Sequence, residues 1–145
     1  KKSVDSIHKE LGHIMWEYVG MGRTEEGLKT ALKLLKDIRK EFETNLFIPG
    51  STEGVNIELE KALRLNDFIT MGELIAYDAL NRNESCGGHF REEYQTEEGE
   101  AKRDDENYFY VSCWEYQGSD DVAPVLYKEP LVYEAIKVQT RNYKS

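Results

Sequence analysis

The stretch "LNDFITMGELIAYDALNRNESCGGHFREEY", residues 65–94, decides how the chain folds, because it runs unbroken from a helical pattern into a glycine turn crowded with charge. In its helical part, Ile69, Leu74, Tyr77 and Leu80 continue a side begun by Leu59 and Leu63. Ala62, Leu65, Phe68, Gly72, Ile75, Ala76 and Ala79 occupy the other side. A helix that is apolar over most of its circumference is covered from more than one direction. It is expected to start near Ile57, with Asn56 as its cap. At its far end, Gly87 and Gly88 read as the stop, one of them a left-handed C-terminal cap. His89 and Arg91 then fall where cations meet the carbonyl end of the helix.

Two more helices precede this one. Val4, Ile7, Leu11, Ile14, Met15, Tyr18 and Val19 repeat at threes and fours, with Ser3 as a candidate cap. After "VGMGR", Thr24 followed by Glu25 and Glu26 opens a second helix. Leu28, Ala31, Leu32, Leu35, Ile38 and Phe42 form its apolar face, opposite Lys29, Lys33, Lys36 and Lys40. Pro49, Gly50 and Gly54 break the pattern before the third helix. Beyond residue 91 the period changes: Tyr108, Tyr110, Ser112, Trp114 and Tyr116 alternate with Phe109, Val111 and Cys113, which is strand patterning. "VLYKEP" and "EAIKVQ" read as one or two further strands.

The fold expected is therefore mainly α, an antiparallel three-helix bundle of the spectrin-repeat kind followed by a small antiparallel β appendage. We divide it into a bundle over 1–91, an acidic loop over 92–107 and a β-strand tail over 108–145 packed on the bundle as one unit. A chain of 145 residues suits one domain. The net charge of −9 argues against a nucleic-acid backbone as partner. From Glu92 to Asn107, eight acids stand against two bases, a solvated loop rather than a binding surface. No apolar run is long enough to span a bilayer. Two cysteines, Cys86 and Cys113, make no disulfide framework, so a reducing cytosol is the simpler setting. The opening "KKSVDSIHKE" has no initiator Met and no signal character, and is expected to be a cut inside a longer protein.

Three chemistries are set aside for the 81–94 segment and its surroundings. Cys86 and His89 have metal-like spacing, but Cys113 and the distant His8 and His13 are the candidates left to complete a zinc shell. A Cys/His nucleophilic pair has no evident orienting acid. "GMGR" at 20–23 lacks the preceding strand and the third glycine of a dinucleotide turn.

The run Glu84-Ser85-Cys86-Gly87-Gly88-His89-Phe90-Arg91-Glu92-Glu93 resembles the Glu-Ser-Arg-Gly-Ala-His-x-Arg-x-Asp motif near the end of succinate dehydrogenase and fumarate reductase flavoprotein subunits. "DALNR" before it, "KRDDENYF" after it, the terminal "QTRNYKS" and the early "LGHIMWEYVGMGRTEEGL" look like the same family. The resemblance implies an upstream FAD-binding domain with covalent flavin, a capping domain over a dicarboxylate site, and this helical domain last. Hydride passes between substrate and flavin, and electrons continue to an iron-sulfur subunit and a quinone. Catalytic and flavin-linking residues belong to the earlier domains, so no catalytic, cofactor or metal residue is expected here, and the chain alone is expected to be inactive. What remains is an interdomain and helix-capping motif: Arg82, Glu84, Ser85, Cys86, Gly87, Gly88, His89 and Arg91. The implied partners are the FAD-binding domain of the same polypeptide and the iron-sulfur subunit, with the assembly peripheral on the cytoplasmic face of the inner membrane.

Two departures stand out. Cys86 replaces the family's usual Arg and cannot supply a guanidinium's planar fork, a role for which Arg82 or Arg91 is the candidate substitute. Gly88 replaces Ala. The C-terminal domain of L-aspartate oxidase carries a similar motif, but 56 residues follow His89 here, which favours the respiratory enzyme. A free-standing helical interaction domain is the rival from another class.

Overall fold

The computed structural model describes residues 1–139. Three long helices, α1 (Val4–Val19), α2 (Glu25–Asn45) and α3 (Ile57–Asn81), pack against one another as an antiparallel bundle. Each begins where a side-chain oxygen takes an orphan N–H: Ser3 accepts from Ser6, Thr24 from Gly27 and Asn56 from Leu59. The core is the convergence of three apolar faces, with Ile7, Leu28, Leu35, Leu65 and Ile69 its largest fully buried aliphatics.

The core face of α3 is small-residued: Ala62, Gly72, Ala76 and Ala79 are buried along with Leu65 and Ile69. At Gly72, a Cβ would sit 3.2 Å from Met15 Sδ, 3.6 Å from a Leu11 methyl and 3.7 Å from a Leu35 methyl, so all three helices approach closely at this point. Most of the larger apolar residues of α3 stay outside. Leu63 is 65% exposed, Ile57 66% and Met71 53%. Between α2 and α3, the Arg39 guanidinium grips the Glu73 carboxylate at 2.6 Å and donates to Thr70 at 3.0 Å.

Beyond the bundle, a four-residue helix α4 (Asp105–Tyr108), capped by Asp104, falls where the acidic loop and the start of the strand were expected. Asp104 reaches the N–H of Asn107 three residues on, so the charge run folds into a capped turn. Strand β1 (Tyr110–Glu115) pairs antiparallel with β2 (Val125–Pro130), with Ser112 opposite Lys128 and Trp114 opposite Leu126. Tyr110, Ser112 and Trp114 face the bundle, while Val111, Cys113 and Glu115 face out. Trp114 fastens the hairpin by donating its indole N–H to Asp78 of α3 at 2.8 Å and meeting Tyr77 edge to face.

Of the one or two further strands expected, β2 forms and residues 134–139 do not extend the sheet. Ile136 is 67% exposed and Val138 42%, so the alternation there has no sheet edge or core to bury against. The rest of the expected tail, residues 140–145, lies outside the described residues.

Candidate functional site

In an antiparallel bundle, the end of α1, the start of α2 and the end of α3 share one pole. There, unpaired carbonyls of α1 and α3 meet unpaired N–H groups of α2. The segment 82–94 lies across this pole like a strap, and its side chains answer those termini one by one.

Helix α3 stops at Asn81, with Arg82 extended as its C-terminal cap. The glycines therefore do not cap it, contrary to the expectation from sequence. Instead Cys86 and His89 exchange backbone hydrogen bonds at 2.8 and 3.0 Å across a two-residue turn of Gly87 and Gly88. Gly87 has φ +58°, the left-handed conformation placed at the first central turn position, whereas Gly88 does not have positive φ. The helix ends six residues before Gly87, and a side chain takes its final carbonyls. Arg91, 1% exposed, donates from Nη1 to the carbonyls of Ala79 at 3.1 Å and Leu80 at 3.2 Å.

Arg91 also donates from Nε to Glu93 Oε2 at 3.1 Å and lies over the Tyr94 ring. The other oxygen of Glu93 accepts the N–H of Glu25 at the start of α2, at 2.6 Å. Burial of this carboxyl works against ionisation. The N–H groups of Glu25 and of Glu93 itself, with the Arg91 guanidinium, outweigh it and hold the group below the usual carboxylate range. One arginine and one glutamate two residues apart thus bridge the C-terminus of α3 to the N-terminus of α2.

The end of α1 is held by Arg23, whose Nε donates to the carbonyls of Val19 and Gly20 at 3.2 and 3.1 Å. Its Nη1 lies 2.8 Å from His89 Nδ1, and His89 Nε2 lies 2.9 Å from the Arg82 carbonyl. Arginine has no acceptor, so the roles follow: Arg23 donates, Nδ1 accepts, and the imidazole proton sits on Nε2. His89 is neutral in this arrangement. Burial lowers its pKa below that of free histidine; the Arg82 carbonyl opposes the shift, and the charges of Arg23, Arg91 and Arg82 reinforce it.

Arg82 turns the other way. Its guanidinium donates to Glu84 Oε1 and the Tyr108 carbonyl at 2.9 Å, and to the Tyr110 carbonyl at 3.0 Å, while lying over both tyrosine rings. This clamps α4 and β1 to the end of α3. Glu84, 3% exposed, accepts the Asp104 N–H on its second oxygen at 2.8 Å. Ser85 is fully buried and exchanges hydrogen bonds with the backbone of Arg91. Cys86 is exposed and free, and the Arg82 and Arg91 guanidiniums bond to backbone carbonyls away from it. Among the described residues, no buried side-chain nitrogen or oxygen lacks a partner.

Arg23 lies outside the motif read in the sequence, and Glu93, which closes that run, was not singled out as one of its capping residues; both complete the pole. Arg23 had one available signal, a cation within a turn of a helix C-terminus. Asp104 and Tyr110 had none, since they contribute backbone groups and a ring from far along the chain. Among the described residues, no group of three or more His, Cys, Asp or Glu side chains is arranged to hold a metal. A cleft of about 490 Å³ opens away from the pole, between α2, α3 and the β1–β2 connection, with Tyr77, Trp114 and the Arg39–Glu73 pair in its lining.

The side chains of the pole join helix ends. They define a helical packing domain tied by a charged strap. The family described as fumarate reductase flavoprotein C-term matches residues 8–143, and the chain belongs to that family. It is 29% identical over 131 residues to a fumarate reductase flavoprotein subunit of Helicobacter pylori, covering 90% of this chain and 17% of that protein. It is 37% identical over 88 residues to an L-aspartate oxidase of Nicotiana tabacum, covering 61% and 13%. Mycobacterium smegmatis Sdh1 in complex with UQ1 superposes with a TM-score of 0.75 at 26% identity, over 90% of this chain and 21% of that one. The chain thus spans between about an eighth and a sixth of the length of these curated relatives.

FAD, implied by this family, does not fit the chain's own residues. Gly20 and Gly22 join two helices rather than a strand to a helix. The start of α2, where a pyrophosphate would sit, already has its Glu25 N–H taken by Glu93 and its Gly27 N–H by Thr24. No chemical step through FAD is assigned to these residues.

Proposed function

We propose that this chain is the C-terminal domain of a flavoprotein subunit that interconverts succinate and fumarate by hydride transfer with FAD and passes electrons to an iron-sulfur subunit and a quinone. The observation that carries this reading is the reach of the likeness to a fumarate reductase flavoprotein subunit, 131 residues. In this reading residues 1–145 are one structural unit of a longer protein, divided as bundle, acidic loop and tail at 91 and 107. Its part is scaffolding. The exposed apolar residues of α3, among them Ile57, Leu63, Phe68 and Met71, are the surface offered to the FAD-binding domain of the same polypeptide. No helix of the described residues is long and apolar enough to cross a membrane, and we place the parent peripherally on the cytoplasmic face through its complex.

The higher identity to an L-aspartate oxidase, 37%, gives a second reading, which its shorter span of 88 residues makes the weaker one. The test is the full-length protein purified with its iron-sulfur partner. Fumarate reduction by a reduced viologen, or succinate oxidation by an artificial acceptor, supports the first reading. Oxygen-dependent oxidation of L-aspartate, with neither dicarboxylate turned over, replaces it with the second. Absence of flavin from the full-length protein overturns both.

A further inference from the structure

The strap meets α2 and α3 through Arg91 and Glu93, but it meets α1 through a titratable pair. Arg23 spans that junction, with Nε on the last carbonyls of α1 and Nη1 on His89. Two backbone bonds run beside it, from Arg23 N–H to the Phe90 carbonyl at 2.9 Å and from Glu92 N–H to the Arg23 carbonyl at 2.8 Å.

We propose that His89 is a proton-operated latch: a proton added at Nδ1 releases Arg23 and parts the α1–α2 turn from the strap. The geometry makes the two states exclusive. A guanidinium only donates, so a protonated Nδ1 would set N–H against N–H with two cations in hydrogen-bond contact.

The charged groups that act on the imidazole are all cations. Arg23 faces it from the α1–α2 connection, Arg82 from the end of α3 and Arg91 from the strap. Three carboxylates nearby are engaged by others: Glu84 by Arg82, Glu93 by Arg91, and Asp78, which acts on Arg23, by the Trp114 indole, while the Glu92 carboxylate lies on the Gly22 side of the α1–α2 connection. Release is local to the α1 corner. Arg91 holds the end of α3 through backbone carbonyls, and Glu93 on α2 stays ionised well below neutrality.

The inference concerns the pole and does not rest on the reaction proposed for the parent. Hydrogen–deuterium exchange of the full-length protein tests it, comparing about pH 7.5 with about pH 5.5 after correction for intrinsic rates. Protection in peptides carrying the Arg23 and Glu92 amides should fall by up to about tenfold per pH unit, the limit for one proton. Peptides from the middle of α3 should keep theirs. His89→Gln, which keeps a donor and an acceptor but does not titrate, should abolish the pH dependence. A uniform fall across the bundle, no fall at all, or an unchanged pH dependence in His89→Gln overturns the latch. If His89→Gln does not fold, the regional contrast in the unmodified protein decides alone.

Discussion

The hydroxyl of Ser85 bonds the backbone of Arg91 twice, accepting its N–H at 2.8 Å and donating to its carbonyl at 3.1 Å, in a site with no solvent exposure. Ser85→Ala leaves the Arg91 N–H buried and unpaired, while the Arg91 carbonyl keeps the Tyr94 N–H at 2.8 Å. We expect a loss of about 2 kcal/mol in urea unfolding. A loss below about 0.5 kcal/mol would mean the strap relaxes enough to admit water.

Arg91 satisfies α3 carbonyls that no other described side chain reaches. Arg91→Leu should cost about 3 kcal/mol, combining two orphaned carbonyls with the loss of the Glu93 partner. Arg91→Lys keeps the charge but not the fork, and should recover less than half of that. Equal stabilities for both variants in denaturant titrations would refute a geometric role for the guanidinium.

The two turn glycines should behave differently. Gly87 has φ +58°, so Gly87→Val should cost well over about 1 kcal/mol. At Gly88 the backbone is ordinary and a Cβ would meet open space, so Gly88→Ala should be neutral or stabilise by about 0.5 kcal/mol. Cys86→Ser, at an exposed position, should change the melting temperature little. Equal losses at 87 and 88 in thermal melts would contradict the turn geometry.

Arg82 holds the hairpin through two backbone carbonyls, Tyr108 and Tyr110. Arg82→Lys should therefore weaken the attachment of β1 by about 1–2 kcal/mol while the bundle stays folded. Limited proteolysis should cut near the β1–β2 connection sooner in the variant, and an unchanged digestion pattern would count against the clamp.

Acid stability follows from Glu93. Its carboxyl is held below its ordinary range, so its contribution is complete at neutral pH and disappears as pH falls through that range and below it. The side chain is 40% exposed, which limits the effect to about 0.5–1 kcal/mol after solvent screening. Unfolding free energies of the unmodified protein and Glu93→Gln should converge as the pH is lowered toward about 3. A constant gap would show that ionisation of Glu93 does not matter to the fold.

The helices were legible because amphipathic spacing and capping are local. Ser3, Thr24 and Asn56 each act on an N–H three residues ahead, a relation that any window of sequence contains. The alternation from Tyr110 to Glu115 was legible for the same reason, and packing on the bundle turned its Tyr110, Ser112 and Trp114 side inward. The pattern at 134–139 left open whether there would be one further strand or two, because alternation records which residues could share a face and not whether a partner strand exists.

The motif at 84–93 marked the place where polar groups gather, but spacing within it suggested a glycine cap on α3. Tertiary structure decided otherwise. The pairs that tie the pole, Arg23 with His89 and Glu25 with Glu93, are 66 and 68 residues apart in sequence. Which carbonyl a buried guanidinium takes depends on what the packed helices bring within about 3 Å and on the cost of leaving the alternative unpaired. Local pattern therefore determined the elements and their apolar faces, while the partners of each charge at the pole were settled when the core closed and three helix ends met.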